Sequence, residues 1–274
     1  MIQNKAMLAT LCIQQWHARK TDKDVTQEVE TKHGAHDSGR FSKALVSKEL
    51  LAPIAKFTSR LREWHYGMTL PWTDNGARLL PATMFLDYST KVRQAKTDYA
   101  NLVDDMVRAY PAEVQAARTR LGTMYNPGDY PDPSDLAAEF KIGVEFTPVP
   151  TSSDFRVDLN NEAMDEIKQQ ITDSVHLRQE EAVKATFTRV REVVSKMDDR
   201  LSDPKAIFKD TLVSNVGDLC KVLDGLNITG DVRIDEIAKF MTDELVKPAS
   251  ALRTNLPLRS SVAGKCKELL ARLP

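Results

Sequence analysis

The chain has 274 residues, 42% of them hydrophobic and 28% charged, which is a globular composition far from the disordered class. Its 38 Lys/Arg against 39 Asp/Glu leave a net charge of -1, which excludes whole-chain supercharging as a way of holding nucleic acid or membrane. Eleven glycines, 13 prolines and 7% aromatic residues argue against a β-sandwich or a collagenous chain and lean toward helix.

Taken in chain order, residues 7–20 are rich in strand formers and read as one strand, with Leu11, Ile13 and Trp16 toward a core. A short amphipathic helix follows from Asp24 and stops near His33-Gly34. Residues 33–39 then form a polar, glycine-bearing loop. Leu50, Ile54, Phe57, Leu61, Trp64 and Met68 recur at 4-3-4-3-4 spacing, one stripe of a helix, with Pro53 near its tolerant first turn. Residues 64–81, with Gly67, Pro71, Asp74-Asn-Gly76 and Pro81, read as a loop. Phe85, Tyr88, Val92, Ala95, Tyr99, Leu102, Met106 and Ala109 make a longer stripe, which Tyr110-Pro111 should kink or restart and Gly122 should end.

Residues 123–153 hold five prolines among acidic residues, with a helical turn expected over 135–140 and a strand over 141–147. Phe155-Arg-Val-Asp-Leu159 reads as a second strand, and the domain boundary is placed near residue 158. Beyond it, Val183, Phe187, Val190, Val194, Met197 and Leu201 form a stripe. After an Asp203-Pro204 helix start, Phe208, Leu212, Asn215, Leu219, Val222 and Leu226 form another. These two stripes predict an antiparallel hairpin, with Asn215 fixing register on its seam. Asp231 should cap a further helix through Leu245, with one or two more after Pro248. The expected fold is therefore mainly α (α+β). A small β element lies in a mixed, N-terminal domain, 1–158, and a helical hairpin or bundle fills 159–274.

Charge is laid out unevenly. Residues 1–96 carry 15 Lys/Arg against 9 Asp/Glu, whereas residues 97–158 carry 5 against 11. Such a bipolar layout suits a basic binding face, head-to-tail pairing with another copy, or plain intramolecular balance. Cys12, Cys220 and Cys266 are odd in number and far apart, as in a reducing compartment. The apolar N-terminus stops at Gln14-Gln15 with no cleavage site, and no run reaches the roughly 18 apolar residues of a membrane span. A soluble, cytoplasmic protein with no membrane partner is the expectation.

The familiar phosphate-loop, dinucleotide, zinc-protease and serine-hydrolase motifs are absent, so the reading is of a non-enzyme without cofactor. His33-x-x-His36-Asp37 is the nearest thing to a metal-ligand cluster; without a third ligand it reads as solvated loop, and no metal is assigned. The most unusual segment is 60–78, where Trp64, Tyr66 and Trp72 stand among Arg60, Arg62 and Arg78, with Lys91 and Arg93 beyond. Single-stranded nucleic acid is held by aromatic faces that stack bases and by cations that meet phosphates, and these eight residues suit both roles. The same tryptophans also suit a packed corner between helices. The clean helical stripes, in turn, suit self-association as well as bundle packing, and a homo-oligomer is expected.

Trp16-His-Ala-Arg-Lys20, the stretch from His65 through Leu80-Pro-Ala-Thr-Met-Phe-Leu-Asp-Tyr88, and Pro148-Val-Pro with Asp154-Phe-Arg-Val157 together resemble a group of bacteriophage and prophage proteins of the DUF3150 type. The similarity covers roughly residues 10–200 and transfers no catalytic residue. Members occur among phage replication, recombination and MoxR-type ATPase genes, which implies DNA metabolism or an ATPase partner in a bacterial host. The expectation is a non-catalytic phage protein that binds single-stranded DNA or a recombination or replication complex. The alternative is a protein-interaction or assembly module, such as an AAA+ ATPase adaptor or a phage structural protein.

Overall fold

Local chemistry sets where the helices start and stop. The computed structural model describes residues 2–74, 76–151 and 161–274, with side chains from 164 onward in the last span. Strand β1 covers Ala6–Gln14 and the short β2 covers Arg19–Thr21, so the one strand expected over 7–20 is two, in different sheets. Helix α1 (Lys23–His33) begins at Asp22, whose carboxylate accepts the Val25 N–H at 3.2 Å, and ends at Gly34, left-handed at φ 59°. β3 (Ser42–Ala44) pairs antiparallel with β2, placing Lys43 opposite Lys20.

Helix α2 runs over Lys48–Met68, so Trp64 and Tyr66 are helical rather than in a turn, and Pro53 is its sixth residue rather than a first-turn one. The rest of the expected loop is a hairpin, β4 (Leu70–Pro71) with β5 (Ala77–Pro81), and β5 pairs in turn with β1, Leu79 opposite Leu8. Leu70, Leu79 and Leu80 are fully buried, and that burial is what draws the segment into the sheet. Helix α3 spans Phe85–Leu121 straight through Pro111. Proline removes one helical hydrogen bond, but Tyr110 anchors the chain beside it: its hydroxyl donates to the Pro131 carbonyl at 3.1 Å and its ring meets Trp16 edge-on at 5.8 Å. Gly122, at φ 53°, ends the helix as expected.

A short helix, α4 (Pro133–Leu136), precedes β6 (Lys141–Pro148), which completes a four-stranded sheet of order β4-β5-β1-β6. The strand expected over 155–159 and the boundary near 158 lie outside the described residues. Five more helices follow: α5 (Asn161–Ser202), α6 (Thr211–Leu226), α7 (Val232–Phe240), α8 (Ala249–Thr254) and α9 (Leu256–Arg272), with a π-helical turn at Met241–Leu245. The fold is mainly α with a small antiparallel sheet, as the stripes predict.

Contacts divide the chain into two compact units. The first comprises Met1–Thr10, Trp64–Ser89 and Glu145–Pro274. Its helical core takes Val190, Val194, Met197 and Leu201 from α5, Val216 and Leu223 from α6, and Ile234, Met241, Cys266 and Leu269 from the later elements. Two expectations fail in this bundle. Asp203-Pro204 does not start α6: residues 203–210 form a connection in which the Asp203 carboxylate accepts the Lys205 N–H at 2.9 Å, and the helix begins at Thr211. Asn215 is exposed rather than on the seam, because the buried stripe of α6 is Val213, Val216, Leu219, Leu223 and Leu226. Phe208 lies in the connection, so a stripe that begins at it runs out of phase with the buried face of α6.

The second unit comprises Leu11–Glu63 and Thr90–Val144. Its core joins Ile54 to Tyr99, Val103, Met106, Tyr110, Leu136 and Phe140. Lys43, 7% exposed, ties three segments together by ion pairs to Asp22 at 3.0 Å and Asp129 at 2.9 Å and by donation to the Met124 carbonyl at 2.7 Å. The backbone N–H of Val25 and the Lys43 ammonium hold the Asp22 carboxyl below its ordinary pKa, so the Asp22–Lys43 pair keeps its charge in mild acid.

Candidate nucleic-acid interface

The eight residues expected at the interface fall in both units. In the second, Arg60, Lys91 and Arg93 are exposed and Arg62 is half-buried. Among the described residues none of the four is ion-paired to a carboxylate; Arg93 donates only to the Thr90 hydroxyl, at 2.9 Å. These side chains are available to an anionic partner.

In the first unit the aromatic residues serve packing more than display. Trp64 stacks on the fully buried Tyr88, ring centroids 4.9 Å apart and 24° from parallel, and Phe146 meets Tyr88 edge-on at 6.1 Å. Trp72 is 5% exposed; Arg178 donates to its carbonyl and lies 5.7 Å over its indole. An indole so enclosed has no open face for a base, which corrects the expectation that Trp72 stacks on nucleic acid. Tyr66 is different. It is 50% exposed, and the Arg78 guanidinium sits 4.8 Å from its ring centroid.

Arg78 is itself held at the end of α2. Its Nε donates to the Thr69 hydroxyl at 2.8 Å and its Nη2 to the Thr69 carbonyl at 3.2 Å. Arg189 of α5 reaches the same carbonyl and also donates to those of Tyr66, at 2.7 Å, and Gly67, at 3.1 Å. The last carbonyls of a helix lack intrahelical donors and carry partial negative charge, so a guanidinium satisfies both needs. Burial, with the Arg78 charge beside it, pulls Arg189 down to about 10, still protonated at neutral pH. Two cations therefore converge on one carbonyl, and among the described residues neither is bonded to a carboxylate. Arg189 and Arg178 escaped sequence reasoning because they lie more than 100 residues from the atoms they bind. The signal available was only a pair of cations flanking the buried stripe of α5.

Beneath this cluster His65, 2% exposed, shares a 2.8 Å hydrogen bond with the Tyr88 hydroxyl. Burial, helped by the Arg78 charge, pushes the imidazole down to about 4, so it is neutral in the folded state at neutral pH. The unfolded chain protonates His65 near 6.5, so its contribution to stability is complete above that pH. It falls as the pH drops from 6.5 to about 4, where the folded state also takes the proton. The full shift corresponds to about 3 kcal/mol, and solvent screening reduces this to roughly 2. Urea unfolding of the protein and of His65→Phe across that range should show a slope in the former that is shallower in the latter; parallel curves would contradict the assignment.

Among the described residues no group of three or more His, Cys, Asp or Glu is placed to hold a metal ion, and His33 and His36 are both exposed. No helix there is long and apolar enough to cross a membrane. No family model, curated protein or solved structure matches the chain.

Proposed function

We propose that the protein binds nucleic acid without catalysing a reaction on it, acting in the cytoplasm of a bacterial host as part of a phage replication or recombination system. The observation that carries this reading is the convergence of Arg78 and Arg189 on the Thr69 carbonyl, with no carboxylate among the described residues bonded to either. Two half-buried like charges are relieved by an anion, and a phosphodiester suits the planar donor fork of a guanidinium. Tyr66, the most exposed of the candidate aromatic side chains, lies beside them and supplies one face for a base, which favours single-stranded over duplex DNA. Arg60, Lys91 and Arg93, exposed in the second unit, are a separate set of cations suited to sequence-independent phosphate contacts.

Anisotropy titration with a fluorescent single-stranded oligonucleotide tests this reading. Tyr66→Ala should weaken binding about tenfold while Tyr66→Phe stays close to the original protein, as loss of one base–aromatic stack requires. Equal affinities for all three, or tighter binding to duplex than to single strand, would remove Tyr66 from the interface.

A second reading, that of a protein-interaction or assembly module serving a phage ATPase or particle, is favoured by a groove of about 780 Å³ in the first unit. Val183 and Phe187 of α5, Thr229, Arg233 and Pro274 are among its lining. Co-purification of one stoichiometric protein from phage-infected cells is the result that reading expects.

A further inference from the structure

The groove beside α5 borders a second stripe on that helix, which shares the buried Phe187 with the core stripe and is otherwise more exposed. Asp173, Leu177, Glu180, Lys184, Phe187 and Arg191 follow one another at 4-3-4-3-4 spacing, so they share one face. Leu177 stands 58% exposed on it. Phe187 lies at the groove floor, with the Arg233 guanidinium 5.3 Å over its ring and Arg233 held by Asp231. The four charged members are exposed and little compensated. Glu180 has His176 at 3.6 Å, Asp173 accepts from Gln169, Arg191 donates to the Pro274 carbonyl, and Lys184 is in no ion pair among the described residues.

The sign of the charge reverses along the helix. Residues 161–181 carry six carboxylates against two Lys/Arg, and residues 182–202 carry five Lys/Arg against three carboxylates. A helix acidic in one half and basic in the other complements an antiparallel copy of itself. With a two-fold axis level with Ala182, Glu180 faces the partner's Lys184, Asp173 faces the partner's Arg191, and the exposed Leu177 faces the partner's Phe187 at the groove. Each of these contacts occurs twice, as an isologous interface requires. We propose that α5 is a homodimerisation surface and that a second copy of this chain, running antiparallel, occupies the groove. This goes beyond the nucleic-acid reading and does not depend on it.

Sedimentation equilibrium of the full chain tests it, with circular dichroism to show that surface variants remain folded. The original protein should dimerise at micromolar concentration. Lys184→Glu, which sets two like-charged pairs across the axis, should weaken the dimer on the order of a hundredfold. Leu177→Asp should do the same by a different route. The double variant Glu180→Lys with Lys184→Glu restores opposite charges and should recover most of the loss. A monomer up to about 100 µM, where an interface worth roughly 6 kcal/mol would already assemble, overturns the proposal. So does a dimer indifferent to both single variants, or a double variant no better than Lys184→Glu alone. Stoichiometric capture of a different protein by monomeric chain would assign the groove to that protein instead.

Discussion

Trp72→Ala should lower the unfolding free energy by about 3–5 kcal/mol, the range for truncating a buried aromatic side chain in a core that relaxes only partly. Its indole is 5% exposed, so the truncation leaves a cavity that solvent does not fill. Arg178, now 5.7 Å over the ring, loses its cation–π partner as well. The change is one of stability and not of recognition: the folded fraction of Trp72→Ala should keep its affinity for an oligonucleotide. A urea-unfolding midpoint close to that of the original protein, together with lost binding, would mean that Trp72 meets ligand after all. Trp72 and Tyr66, six positions apart in the same segment, differ in burial, the first 5% and the second 50% exposed.

Arg259→Met should cost about 3 kcal/mol, although methionine keeps most of the side-chain volume. Arg259 is 5% exposed and gathers the chain end of α5: its guanidinium donates to the carbonyls of Arg200 at 2.6 Å, Leu201 at 3.1 Å and Ala206 at 2.9 Å, and to that of Asp203. The first two are end-of-helix acceptors, and the other two belong to the 203–210 connection, where the Asp203 carbonyl keeps a second donor in the Ala206 N–H at 3.1 Å. Each buried acceptor left without a donor costs on the order of 1–3 kcal/mol, tempered by local relaxation and by water entering the gap. The ring of Phe208, 5.3 Å from the guanidinium, loses its cation too. Arg259→Lys retains the charge without the fork and should fall between the two in thermal unfolding; a lysine variant as stable as the original would show that charge alone is enough.

The helices were legible because heptad-like stripes report one buried face. The stripe of α5 is found where spacing places it, and that of α3 from Tyr88 to Tyr99 and again at Met106; Val103 and Tyr110, not Leu102 and Ala109, are the residues buried beside them. Asp22 with Gly34, and Asp231 ahead of α7, mark helix ends by ordinary capping chemistry. What was not legible depended on tertiary partners. The β4–β5 hairpin hid in a Pro- and Gly-rich stretch because its strands are two and five residues long and gain their stability from β1. Pro111 passes inside α3 because Tyr110 is anchored from elsewhere. The phase of α6 slipped because Phe208, apolar and buried, belongs to a connection rather than to the helix. At the candidate interface, residue type pointed to Trp72 and Tyr66 alike, and only exposure separates them. Arg189, the cation that completes the cluster at Thr69, comes from α5, far along the chain, and no local pattern ties it to residues 66–69.

The salt dependence of oligonucleotide binding tests phosphate recognition most directly, because each phosphate contact releases condensed counterion. The logarithm of the association constant for single-stranded DNA should fall with the logarithm of salt concentration at a slope steeper than about -2, as roughly three or more phosphate contacts require. Reversing Arg60, Lys91 and Arg93 to glutamate should make that slope shallower in a protein that still unfolds at its original urea midpoint. Binding that is indifferent to salt, or a slope unchanged by the three reversals, would contradict it.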